Sequence, residues 1–366
     1  MAATDALLKA SDAEDLLAWG ACSAQVDQVQ EFPMTEFDPA ILPPPLSNHD
    51  AAFSRWVDAE LVLSGRADVV NDPIVHYTTR EGLEGILSSG SIRLTDLGRA
   101  RDDSEFLYGR GLAKASLTEA FAVAETGARD DDEAISTRLF CEGTLSMLKE
   151  ISPASGPFRF YSASFCERGD DAFLWREYAA NGEGFALKLS PVVFSEPPAA
   201  EPLTVMDQTI RLRMIYDRSE ATQVLEKVVE EGIRTVRAAG LSGSTDPHVG
   251  TTFLHSMSVH FVLYVLAMAT RFKKQCFSPE HELRLLLVNE EEKLASLEQT
   301  SSGKRFVQYE FVPSLRARRV LEEITIGPRA PSNSEPHVRQ LLLDCGYPTD
   351  PAGEPVTVVR RSTAWK

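Results

Sequence analysis

Residues 158–190 read FRFYSASFCERGDDAFLWREYAANGEGFALKLS, and their order decides the fold class. FRFYSASF, residues 158–165, is rich in aromatic residues and predicts a strand. DAFLWREYAANG predicts a helix closed by Asn181 and Gly182. EGFALKLS sets Phe185, Leu187 and Leu189 against Gly184, Ala186 and Lys188, the alternation of a half-buried strand. This strand, helix and strand open a mixed order that continues along the chain.

Working outward, the same mixed order persists. IVHYT, residues 74–78, predicts a strand, and Thr79 caps a helix that ends at Gly90. SIRLT follows as a strand. Helices are expected over 104–126, 132–150, 219–239, 251–273 and 335–345. Strands are expected in TIRLRMIYD and around 281–288, 306–312, 320–326 and 356–360. Strands and helices do not alternate regularly, which argues for α+β architecture. Upstream, residues 5–19 suit an acidic helix. The prolines of residues 33–47 argue against helix, and 49–64 read as helical with Phe53, Trp56 and Leu61 as core contacts. The expected organisation is a helical, proline-rich extension over 1–70 and a main domain over 71–366, with a helical insertion around 215–275.

Composition narrows the function classes. Acidic residues outnumber basic ones 54 to 37, for a formal charge of -17, the wrong sign for a protein held by nucleic-acid phosphates. The five cysteines are widely spaced without C-x-x-C, so a disulfide framework or structural zinc is not expected and a reducing, cytoplasmic setting fits. The N-terminus lacks the basic and apolar regions of a secretory signal. FVLYVLAMA, residues 261–269, is too short to span a bilayer and is read as a buried helix, so no membrane partner is expected. The P-loop, H-E-x-x-H and G-x-S-x-G patterns are absent, and the histidines give no metal cluster.

Four segments could carry chemistry. In His76-Tyr77-Thr78, His76 and Thr78 share one strand face and Tyr77 the other; a histidine at a core edge is the plainer alternative. In GRARDDSEF, residues 98–106, Asp102 or Asp103 could cap the next helix or help its N-terminus hold an anion. Trp175 and Tyr178 lie three apart on a helix, as core or as the wall of a pocket for a flat ring. If residues 280–288 form a strand, Glu280, Glu282 and Arg284 line one face. Two carboxylates so placed repel each other and raise one pKa unless a cation intervenes; a solvated, ion-paired face is the alternative.

Taken together, these segments resemble the bacterial family catalogued as domain of unknown function 2971. The resemblance is carried by His76-Tyr77-Thr78 with LSSGSIRLT, by Asp102 to Glu105, by SFCERGDDAFLWREYAANGEGFAL, KKQCFSPEHELRL and LEEITIGP, and by the terminal VVRRSTAWK. It spans about residues 73–365. The family usually carries Asn where Arg101 stands. That family in turn looks like a distant relative of ADP-ribosyltransferases, with a split, mixed sheet, an early-strand His or Arg, a midway Ser or aromatic element and a late-strand Glu. His76 and Thr78 resemble the first element, as in DNA-targeting toxins and RNA 2′-phosphotransferases. Glu280-His281-Glu282 resembles the E-x-E of the arginine-modifying branch.

The resemblance implies NAD as substrate, no metal, and an acceptor that is a protein, a nucleic acid or a small molecule. It implies Glu282 facing the oxocarbenium-like ribose, His76 on a ribose hydroxyl, and Glu280 orienting or deprotonating the acceptor. Thr78, Tyr77, Asp102, Glu105 and Ser164 join the cofactor-binding group. Trp175, Tyr178 or Tyr161 would stack on nicotinamide, and Arg101 or Arg284 would contact pyrophosphate. This requires His76, Glu280 and Glu282 to converge on one cavity. NAD hydrolysis and a non-catalytic nucleotide- or protein-binding module are the alternatives; a toxin or phage-defence role suits such families.

Overall fold

The computed structural model describes residues 44–65, 74–99, 104–126, 132–150, 158–194, 209–240, 247–290, 298–301, 304–311 and 314–364. The expected acidic helix at 5–19, most of the proline cluster, Arg101, Asp102 and Asp103 lie outside them. In chain order come α1 (Pro44–Gly65), β1 (Ile74–Thr78), α2 (Arg80–Ser89), β2 (Ser91–Asp96), α3 (Ser104–Glu125) and α4 (Asp132–Glu150). Then follow β3 (Phe158–Cys166), α5 (Ala172–Tyr178), β4 (Phe185–Leu189), β5 (Thr209–Arg213), α6 (Arg218–Ala238) and α7 (Pro247–Ala269). The chain continues with β6 (Glu282–Glu290), β7 (Glu298–Ser301), β8 (Lys304–Glu310), β9 (Leu321–Ile326), α8 (Ser334–Asp344) and β10 (Val358–Arg361).

The fold is mixed α+β with a large open sheet. Its strands run β10-β9-β4-β1-β3-β2-β8-β7, and β6 and β5 extend from the other edge of β3. Every pairing is antiparallel except β10 with β9. β1 pairs with β4 along its whole length, Ile74 to Thr78, but meets β3 only at Val75 opposite Cys166. Cys166 Sγ donates to the Val75 carbonyl at that junction. β2 occupies the same edge of β3 further back, at Tyr161 and Ser162. Two half-sheets are thus joined at one residue pair, with β3 residues 163–165 unpaired on that side.

Side-chain alternation sorts the core. One face carries Ile74, Tyr161, Ala163, Phe165, Leu187, Leu283 and Leu285, packed on α2 and α8. On the other face, Phe160, Leu286 and Val288 pack on α1, α3, α4, α6 and α7. Beside them Val75, Tyr77, Cys166 and Ala186 pack on α5. The predicted half-buried β4 is therefore buried on both sides, because α5 covers Ala186. Gly109 lets α3 lie against α7; a Cβ there would sit 2.5 Å from the Ala269 backbone.

Helix α1 begins at Pro44, inside the proline cluster, since the first turn of a helix needs no N–H from proline. Phe53 stacks on Phe261 and meets Tyr264 edge-on, with centroids 6.4 and 6.2 Å apart. Helix α7 is apolar and long enough to cross a bilayer, yet 72% of that window is buried within the protein. Thr79 caps α2 by accepting from the Gly82 N–H, and Gly90 ends it at φ 73°. The polar β7, EQTS, has no counterpart among the predicted strands.

Candidate active site

The E-x-E segment is built differently from its prediction. Strand β6 starts at Glu282, so Glu280 is not on it. Glu280 ends a 3-10 turn, Gln275–Glu280, and His281 takes the left-handed conformation (φ 43°, ψ 49°). That kink returns both carboxylates to one place, where Lys273 meets them. Lys273 Nζ hydrogen-bonds Glu280 Oε2 at 2.6 Å. The same ammonium stands 2.6 Å from Glu282 Oε2 as an ion pair outside hydrogen-bond angles.

Arg284 completes the cluster. Its Nε and Nη2 lie 3.0 and 2.9 Å from Glu282 Oε1, and its Nη1 donates to the Thr270 carbonyl at 2.8 Å. Glu280, Glu282, Lys273 and Arg284 are all buried. The segment is therefore ion-paired but not solvated. Burial pushes the Glu282 pKa up; Arg284, Lys273 and the Ser164 hydroxyl together outweigh it and hold the carboxyl well below the usual range. The near cation Arg284 intervenes, joined by Lys273, so the condition for an upward shift is not met at Glu282.

Two predicted roles change with this geometry. Arg284 is enclosed by Glu282 and Thr270, so it does not present itself to a pyrophosphate. Glu280 is enclosed as well: its Oε1 accepts from Tyr178 Oη at 2.5 Å and its Oε2 from Lys273, so no oxygen faces an acceptor as a base.

The aromatic residues separate in the same way. Trp175 is fully buried, donates from Nε1 to Asp170 at 3.0 Å and meets Tyr77 edge-on at 5.0 Å. Tyr77 is buried too, and its hydroxyl accepts from the Asp171 N–H. Tyr161 is buried with its hydroxyl on Glu298. These three are core, not ligand surfaces. Tyr178 differs: its polar end is buried on Glu280 while the side chain is 44% exposed. Thr78 is buried against α2, where a Cβ on Gly82 would lie 2.0 Å from its Oγ1. The side chain of Glu105 lies outside the described residues.

Ser164 is the exposed position in an otherwise buried stretch of β3, residues 159–166. It faces the acidic side, opposite Arg284 and two residues from Cys166, which is opposite Glu282. Its hydroxyl lies beside Glu282 and helps to hold that carboxyl low. Its backbone carbonyl lies 2.9 Å from His76 Nδ1. The imidazole sits near Phe165, centroids 5.4 Å apart, away from the face of Tyr77. His76 and Glu282 therefore reach one residue from opposite sides of β3. His76 nevertheless lies on the sheet face of Ile74 and Phe165, whereas Glu282 and the Ser164 side chain lie on the face of Val75 and Cys166, so the expected convergence of His76, Glu280 and Glu282 on one cavity is not met.

Burial lowers the His76 pKa, and the bond to Ser164 only partly opposes this. The ring is then neutral at pH 7, with Nδ1–H donating to the carbonyl and Nε2 left as an acceptor. Lys273 and Tyr216 escaped the sequence reading. Tyr216 Oη accepts from the Glu282 N–H at 2.9 Å. Lys273 stands in the quoted KKQCFSPEHELRL, but its distance from Glu282 along the chain fits no strand or helix period. Among the described residues no group of three or more His, Cys, Asp or Glu could hold a metal ion. A concavity of about 320 Å³, lined by Val75, Glu167, Lys188, Glu323 and Arg360, borders the β1–β3 junction and includes none of the predicted site residues. Comparison with protein-family models, curated proteins and solved structures found no match.

Proposed function

We propose that this protein cleaves the nicotinamide–ribose bond of NAD and transfers ADP-ribose to an acceptor, on a split sheet of ADP-ribosyltransferase type. The observation that supports this best is the exposed Ser164, on the same sheet face as Glu282 and bonded to His76 through its carbonyl, where the half-sheets part. In this reading the dinucleotide occupies that opening. His76, on the other face of the sheet, holds the Ser164 carbonyl and so helps to set the opening. Glu282, ionised and enclosed like Glu280, acts on the oxocarbenium-like ribose through its field and not by contact, favouring the transition state over the ground state. The exposed ring of Tyr178 takes the stacking role. NAD labelled in its adenylate moiety, incubated with the protein and a bacterial lysate, is expected to label a macromolecule, and Glu282→Gln is expected to lose at least 100-fold of that rate, on the order of an electrostatic catalytic group. Label recovered only as free ADP-ribose assigns hydrolysis. Unchanged NAD with the wild-type protein sinks the enzyme.

The burial of Glu280 and Glu282 among two cations favours a second reading, a non-catalytic module whose ion-paired cluster is structural. It predicts that Glu282→Gln alters stability while any nucleotide affinity stays unchanged.

A further inference from the structure

We infer that Lys273 is the positioning residue of the acidic pair: its single ammonium holds Glu280 and Glu282 together and fixes the carboxylate that the transferase reading assigns to the ribose. This inference deepens that reading and depends on it only for catalysis.

The geometry carries the argument. Lys273 Nζ is 2.6 Å from an oxygen of each carboxylate, and all three groups are buried. The lysine is itself fixed. Its N–H donates to the Ile215 carbonyl, and Ile215 forms a parallel bridge with Phe272. Its ammonium also stands 5.5 Å from the Phe277 ring centroid, within the turn that delivers Glu280. The groups facing this cluster come from several elements. They are Tyr178 on α5, Tyr216 after β5, Arg284 on β6, and Ser164 and Cys166 on β3. Among them Arg284 serves Glu282, whereas Glu280 has Tyr178 and Lys273. Without Lys273 two buried carboxylates would share a site with one guanidinium, and like charges at that range drive one of them to take up a proton.

The test uses the full chain with ¹³C-labelled glutamate carboxyls, followed by NMR titration without nucleotide. Lys273→Met is expected to raise the Glu282 midpoint by at least one pH unit. If Lys273→Met does not fold, the same comparison is made between Glu280→Gln and Lys273→Met/Glu280→Gln, where the raised midpoint is expected only in the double variant. An unchanged Glu282 midpoint across the comparison overturns the inference. NAD turnover then separates the two claims. A shifted midpoint with no turnover by the wild-type protein keeps Lys273 as the clamp and removes the transferase. Turnover whose acid limb is unmoved by Lys273→Met removes Lys273 from its positioning role.

Discussion

A buried glutamate 2.6 Å from one ammonium and 2.9 Å from a guanidinium supports the fold only while it stays ionised. The Glu282 carboxyl is held below its ordinary value of 4.5 in the folded state. Its contribution to stability is therefore complete above that value and is lost as pH falls through the folded one. Urea unfolding is expected to show a loss on the order of a few kcal/mol between neutral pH and about pH 2, from this group among others. Glu282→Gln should flatten part of that dependence. At pH 7 it should cost about 3–5 kcal/mol, because Lys273 and Arg284 lose a shared counter-charge in the interior. A mutant as stable as the wild type at pH 7 would mean that the cluster relaxes freely. His76 moves the same way for a different cause: burial holds its pKa below the ordinary 6.5.

At the level of elements, one left-handed residue decides where the acidic pair ends up. His281 at φ 43° is a conformation that costs an L-residue about 1–2 kcal/mol and a glycine little. His281→Gly should leave the fold intact within about 1 kcal/mol, whereas His281→Val, branched at Cβ, should destabilise it by about 1–3 kcal/mol. Equal denaturation midpoints for the two variants would remove the turn from this account. This residue also marks the limit of sequence reading. Periodicity locates α6, where Leu225, Val228, Val229 and Val236 are buried, and β4, while strand propensity locates β3. No periodicity reports a single left-handed φ, so Glu280 was placed on a strand it does not join. Trp175 and Tyr178 are three apart, yet α5 ends at Tyr178 and Asp170 draws the indole inward. Lys273 reaches Glu282 through the bridge between Ile215 and Phe272, a tertiary contact that local spacing cannot encode.

For the molecule as a whole, the consequence lies in how few backbone contacts join the half-sheets. Helix α1 ties distant parts of the chain together: Phe53 meets Phe261 and Tyr264, and Asp50 accepts from His260 and Ser256. Phe53→Ala should therefore destabilise a single cooperative unfolding transition by about 3–5 kcal/mol, read by calorimetry and circular dichroism together. The junction of β1 with β3 is a different matter. β1 is paired with β4 at five positions and with β3 at one, so its N–H groups directed at β3 have few backbone partners. Hydrogen exchange is expected to be faster at those amides than along β6, which is paired with β3 from Phe158 to Cys166 and with β5 on its other edge. A dinucleotide in the opening beside Ser164 would slow exchange in residues 74–78 and 162–166 while leaving β6 amides near Leu285–Val288 unchanged. Protection reaching Lys188, Glu323 and Arg360 but not residues 162–166 would instead seat the nucleotide in the neighbouring concavity and leave the acidic cluster a purely structural charge network.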